Sequence, residues 1–117
     1  MKRIVIFAVI LTSTGINGFA QSEKKKVETE TIHVSGVCDD CKERIENAAY
    51  ISGVKRADWD KHTHELTVSF KTDKVTLQQI EQSIANAGHD AGQIRATDSA
   101  YKKLPSCCAY KDQATTH

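Results

Sequence analysis

The chain of 117 residues reads as one small α+β domain, a ferredoxin-like sandwich in which a four-stranded antiparallel sheet carries two helices on one face. Three observations predict it. Alternating, β-branched segments stand at 29–34, 54–60 and 65–70, two apolar stripes at helical spacing follow the first and third of them, and a glycine stands where each helix has to stop. With a last short strand the order is βαββαβ, and the sheet order that follows is 4-1-3-2.

Each element has its own local reason. Thr29 to Val34 puts Ile32 and Val34 on one face and His33 on the other, which makes a strand. Asp40 with Glu43 three residues on has the pattern of a capping box, and Cys41, Ile45 and Ala48 recur at helical spacing until Gly53 supplies the stop. Val54 to Asp60 and Glu65 to Phe70 form a hairpin, with Ala57 and Trp59 alternating in one arm and Leu66, Val68 and Phe70 in the other. His62 and His64 fall at or beside its turn. Thr76 with Gln79 is a second capping box, and Leu77, Ile80, Ile84 and Ala87 draw a stripe ended by Gly88. Gly92 to Thr97 is the expected fourth strand. No internal repeat is visible.

The two ends differ from the middle. Lys2 and Arg3 precede an apolar run from Ile4 to Leu11, and Gly18, Phe19 and Ala20 provide small residues at the positions a signal peptidase reads, so residues 1–20 are expected to be a cleaved secretory leader. A membrane anchor is the weaker reading, because a span needs about 20 apolar residues and Thr12, Ser13, Thr14, Gly15 and Asn17 interrupt this one. A charged linker at 21–27 follows, then the domain at 28–97, then a tail at 98–117 with little to bury beyond Tyr101, Leu104 and Tyr110. The expected location is periplasmic or secreted, with no membrane segment in the mature form.

Charge narrows the function. Sixteen Lys and Arg stand against 15 Asp and Glu, and loss of Lys2 and Arg3 with the leader leaves 14 against 15, a net charge of −1. A chain that lives by neutralising phosphates carries a clear basic excess, so nucleic acid is not an expected partner. All four Cys remain after the leader. In an exported chain an even count usually signals a disulfide framework, but their placement suggests other work.

Cys38 and Cys41 are two residues apart, the first in a loop and the second entering a helix, so both sulfurs can converge on one point. The amino-terminal end of a helix favours thiolate over thiol. Two converging thiolates suit a soft ion, and Cu(I) accepts the low coordination number such a pair offers, whereas Zn(II) asks for four ligands. The run Val34-Ser35-Gly36-Val37-Cys38-Asp39-Asp40-Cys41, a helix, Gly53-Val54 before a hairpin, and Ala87-Gly88-His89 resembles the heavy-metal-associated domain over roughly Thr29 to Thr97. That family includes copper chaperones and periplasmic mercury-binding proteins. The resemblance implies a βαββαβ fold and a solvent-exposed Cys38/Cys41 site that passes its ion to a partner by ligand exchange. Where family members usually read Gly-Met-x-Cys, this chain has Gly36-Val37-Cys38, one residue shorter and without the Met that packs beneath the loop. Asp39 and Asp40 between the thiols are expected to raise their pKa values and to attract cations.

Further ligands are expected nearby. His89 is the nearest outside candidate, because the fourth strand would lie beside the first; His62 and His64 belong to the far edge strand. Cys107 and Cys108 could return along the domain to make a four-thiolate site for Zn(II) or a small Cu(I) cluster, or form disulfides with the loop pair, or stay in a flexible tail without a role. Trp59 and Phe70 are expected in packing, and Lys42, Glu43, Arg44 and Glu46 on a solvated face. The function expected is that of an exported soft-metal-binding protein, carrying Cu(I) or else Hg(II) or Zn(II), and not of an enzyme. It would buffer the ion or deliver it to a metal transporter or other receiving protein, and two copies could share one ion as a metal-bridged homodimer. The alternatives are a thiol–disulfide redox protein, a mercury or zinc scavenger, and a small protein held by two ordinary disulfides.

Overall fold

A computed structural model of the chain describes residues 26–112. The expected leader at 1–20 and most of the linker at 21–27 lie outside the described residues. Strand β1 (Val27–His33) leads to helix α1 (Asp39–Ala49), the hairpin of β2 (Val54–Asp60) and β3 (Glu65–Lys71), helix α2 (Leu77–Asn86) and a short helix α3 (Asp98–Lys102). Two 3-10 turns, Ser106–Cys108 and Tyr110–Asp112, end the described chain.

The sheet order is β1-β3-β2, every pairing antiparallel, with Ile32 opposite Leu66 and Leu66 opposite Trp59. The alternation read from the hairpin holds: Ala57, Trp59, Leu66, Val68 and Phe70 all face inward and are buried. They meet Ile45 and Ala49 of α1 and Ile80 and Ile84 of α2 in one core. Full burial of a large apolar side chain contributes roughly 1.5–3 kcal/mol. The core is assembled without a disulfide, since all four Cys are free thiols. The Ser83 hydroxyl donates to the Ala48 carbonyl at 2.6 Å and ties the two long helices together.

Both capping boxes can be compared with their geometry. The one at α2 is complete: Thr76 Oγ1 accepts from the Gln79 N–H at 3.2 Å and Gln79 Oε1 accepts from the Thr76 N–H at 2.9 Å. The one at α1 does not form. Cys38 is the N-cap, without a side-chain cap bond, and Asp40 lies inside the first turn. α1 also stops at Ala49, ahead of Gly53, which at φ +99° turns the chain into β2.

Among the described residues three strands form the sheet; the fourth, expected over 92–97, does not develop. Its place beside β1 is taken by a single rung, in which the Gly92 N–H donates to the His33 carbonyl at 2.9 Å and the Ser35 N–H to the Asp90 carbonyl at 3.0 Å. The chain then closes on itself. Ala91 and Ile94 exchange both backbone bonds at 2.9 Å, Gly92 takes φ +54°, and Asp90 Oδ1 accepts the Ala96 N–H at 2.8 Å. The buried carboxylate of Glu81 accepts the Gln93 N–H at 3.1 Å, and a Cβ on Gly92 would lie 2.7 Å from it, so glycine is required there. A turn that satisfies its own backbone groups leaves none for a long ladder.

This turn changes the path of everything after it. A strand running to 97 would have carried the chain to the far end of the sheet. The chain stays at the end of β1 instead, and residues 98–112, expected as a tail partly ordered at best, pack against the domain through α3 and the two 3-10 turns. Thr97 caps α3 by accepting the Ala100 N–H at 3.1 Å. Gly88, at φ +108°, has the Ala100 carbonyl and the Leu104 side chain 2.9 Å from where a Cβ would stand. No helix among the described residues is long and apolar enough to cross a membrane.

Candidate metal centre

The loop from Val34 to Cys38 is set by what lies beneath it. The Trp59 indole N–H donates to the Val34 carbonyl at 2.9 Å, and its ring stacks on His64 with centroids 5.8 Å apart. A Cβ on Gly36 would stand 3.0 Å from the Trp59 ring and 3.1 Å from Cys41 Cβ, so any other residue there would push the loop or the indole back by a few tenths of an ångström. Val37 is buried in the core. Cys38 thus arrives as the N-cap of α1, and Cys41 follows in its first turn.

The two sulfurs converge as expected, 3.5 Å apart. A third joins them: Cys108 Sγ lies 3.6 Å from Cys38 Sγ, and the sulfurs of Cys38, Cys41 and Cys108 all fall within 4.8 Å of one another. Cys41 and Cys108 are 0% exposed and Cys38 is 7% exposed, so the site is not the solvent-exposed pair the resemblance implied. The cause is the 3-10 turn Ser106–Cys108, which lies over the loop; the Cys38 thiol donates to the Cys107 carbonyl at 3.4 Å.

The electrostatics are uneven. Burial pushes Cys38 up, but hydrogen bonds from the Cys41 N–H, the Cys41 and Cys108 thiols and the Asp40 N–H outweigh it and hold the group below the usual thiol value. The carboxylates of Asp39 and Asp40 are not among the causes acting on Cys38: Asp39 pairs with Lys61 at 3.3 Å, and Asp40 accepts the Cys107 thiol at 3.3 Å and raises that thiol instead. Burial raises Cys41. It raises Cys108 further, helped by Cys41 and Cys38 and opposed by Arg44, whose Nη1 donates to Cys108 Sγ at 3.2 Å. Of the three, Cys38 is thus held toward the thiolate and Cys108 toward the thiol.

The other expected ligands are placed elsewhere. Cys107 is half-buried at the mouth of the site, where Cys38, Asp39, Asp40 and Cys107 line an open pocket. It is outside the sulfur triad. His89 is fully buried and outside it too: its Nδ1 donates to the Ser35 carbonyl at 2.7 Å, and its ring stacks on Tyr110 with centroids 5.5 Å apart. His62 is exposed at the hairpin turn, and His64 lies beneath the loop against Trp59.

Sequence reasoning missed the residues that hold this arrangement. The sequence places Arg44 and Lys42 on a solvated face, but Arg44 reaches Cys108 and the Lys42 ammonium reaches Glu46 at 2.7 Å, Asp58 at 2.9 Å and the Trp59 carbonyl at 2.8 Å. Glu46 accepts the Trp59 N–H at 2.8 Å, so these charges tie α1 to β2. Tyr110 belongs, by the sequence, to the tail. Its hydroxyl donates to the Gly88 carbonyl at 3.0 Å and accepts from the Asp90 N–H at 3.1 Å, while Tyr101 packs edge-on against its ring. The only signal was the spacing of two tyrosines and a leucine in an otherwise polar stretch.

A model of the heavy-metal-associated domain matches residues 31–90, just over half of the chain. The chain belongs to this family. The copper chaperone CopZ of Staphylococcus saprophyticus is 41% identical to it over 64 residues, covering 53% of this chain and 94% of the chaperone. The copper chaperone CopZ of Staphylococcus haemolyticus is 30% identical over 63 residues, with 52% and 93% covered. Among solved structures, a CopZ metallochaperone superposes with a TM-score of 0.53 at 30% identity, covering 55% of this chain and 98% of the other. Oxidised MerP from Ralstonia metallidurans CH34 gives a TM-score of 0.54 at 26% identity, with 56% and 94% covered. This heavy-metal-associated domain thus has copper-chaperone relatives, and its Cys107 and Cys108 lie beyond the residues that the family model matches.

Proposed function

We propose that this heavy-metal-associated domain binds one soft metal ion, Cu(I) before Hg(II) or Zn(II), through the thiolates of Cys38 and Cys41, and buffers it or delivers it to a receiving protein such as a metal transporter. One observation carries the reading: two sulfurs 3.5 Å apart in a loop that becomes a helix, with thiols as the converging donors. Soft donors in low number favour Cu(I), and the three sulfurs that converge here fall short of the four ligands that Zn(II) asks for. Two copper chaperones among the relatives support the same ion. The basic head at Lys2 and Arg3, the apolar run after it and the small residues before Gln21 support an exported protein.

The test uses the reduced full chain with one equivalent of Cu(I) and a competing Cu(I) chelator, followed by native mass spectrometry. The wild type retains one ion per chain, whereas Cys38→Ser/Cys41→Ser gives it up to the chelator. Equal retention by the two proteins would falsify the reading.

A further inference from the structure

Resting on that reading, we propose that the C-terminal segment supplies a third thiolate, Cys108, which closes the site over Cys38 and Cys41 so that the ion sits in a buried three-sulfur site and is released slowly. The sulfur positions suit a trigonal ion. With metal–sulfur bonds of about 2.3 Å, three sulfurs around one ion lie about 4 Å apart. The separations of 3.5 and 3.6 Å from Cys38 fall about half an ångström short of that, and the third is no longer than 4.8 Å, so small side-chain shifts bring the three to trigonal spacing.

Cys108 is held in place by contacts that do not involve its own sulfur. Tyr110, two residues on, anchors to the Gly88 carbonyl and the Asp90 N–H and stacks on His89, and Leu104 fills the space at Gly88. These anchors seat the segment on the β1–α1 end of the fold, so the third donor is in place before the ion arrives, which lowers the cost of binding. Charge is also provided for. Three thiolates around a monovalent ion leave two negative charges in a buried place. The Arg44 guanidinium at 3.2 Å from Cys108 and the amino-terminal end of α1 face that charge.

The chemistry balances without a co-reactant. Three metal–sulfur bonds form, each thiol that joins releases its proton to solvent, and copper remains Cu(I) throughout. Exchange with an outside thiolate needs an open coordination position. In this chain the third position is already filled from within, so an incoming ligand has to displace Cys108, the last residue of the 3-10 turn that lies over the loop. The same sulfur removes the need for a second copy to complete the coordination, so the loaded form is a monomer.

X-ray absorption on the Cu(I)-loaded full chain reads the sulfur count directly: three in the wild type, two in Cys108→Ser. Release to an excess of chelator, followed by its absorbance, is faster in Cys108→Ser by at least about tenfold, since loss of an outer-shell partner alone costs about 10–100-fold in affinity. Circular dichroism confirms that the variant is folded. Two sulfurs in the wild type overturn the proposal whatever the variant does, and so does release from folded Cys108→Ser at the wild-type rate. Three sulfurs in a species whose native mass is that of a dimer with one ion overturn it as well. Loss of the ion by Cys38→Ser/Cys41→Ser is required by the proposed function and not by this step, so the two fail separately.

Discussion

Fully buried, the imidazole of His89 stays neutral far below its ordinary 6.5, down to about 4. Burial is the main cause; Arg44 adds to it, while the hydrogen bond to the Ser35 carbonyl and Asp90 oppose it. Between about pH 4 and 6.5 the unfolded chain therefore binds the proton and the folded one does not. Stability is complete above 6.5, falls as the pH drops through that window and levels off below 4. At about 1.4 kcal/mol per pKa unit the full change is about 3 kcal/mol. His64, also depressed by burial and by His33, acts with the same sign. Urea unfolding of the metal-free, reduced protein at several pH values checks this. His89→Asn should flatten most of the decline, and an unchanged slope would sink the assignment. At this scale Cys38 and Cys41 were legible because their spacing is local. His89, the nearest outside ligand candidate by the sequence, bonds to Ser35 and stacks on Tyr110, a structural position that no local pattern displays.

The elements were read best where their signals are short-range. The Thr76/Gln79 box at α2 has both of its hydrogen bonds, so Thr76→Ala should lower the unfolding free energy by about 1 kcal/mol. Equilibrium denaturation measures it, and Cu(I) affinity should stay unchanged because α2 contributes none of the three sulfurs. A loss below about 0.3 kcal/mol would mean that the cap contributes no more than a glycine's worth of stability. The matching pattern at Asp40 and Glu43 misled for a physical reason. A capping residue must stand before the first turn, and the helix begins one residue earlier, so Asp40 is free to take the Cys107 thiol instead. The fourth strand failed likewise: Gly92, Glu81 and Asp90 together favour a closed turn, and two of the three act from outside the segment that looked like a strand.

At the scale of the whole molecule, the ion would join two parts of the chain 70 residues apart, Cys38 and Cys108. A ligand that binds only the folded form stabilises it by mass action, by about 4 kcal/mol at a free concentration a thousandfold above its Kd. Thermal or urea unfolding in chelator-buffered Cu(I) should show that gain in the wild type and none in Cys38→Ser/Cys41→Ser. Equal midpoints with and without copper in the wild type would contradict a metal-binding role. The predicted sandwich, its sheet order apart from the fourth strand, and its core were all legible, because alternation and helical stripes report directly on which face is buried. The closing of the site was not, because it depends on where residue 97 ends up in space.

The sequence by itself determined the hairpin, the two long helices, the buried faces and the converging pair Cys38 and Cys41, all products of spacing within about a dozen residues. Tertiary structure alone decided that Cys108 meets that pair, that Arg44 faces its sulfur and that Tyr110 seats the segment on Gly88 and Asp90. The reason is the turn at Ala91–Ile94. By satisfying its own backbone bonds it keeps the chain at the loop end of the domain, and contacts made after such a turn depend on its direction, which no periodicity in the residues records.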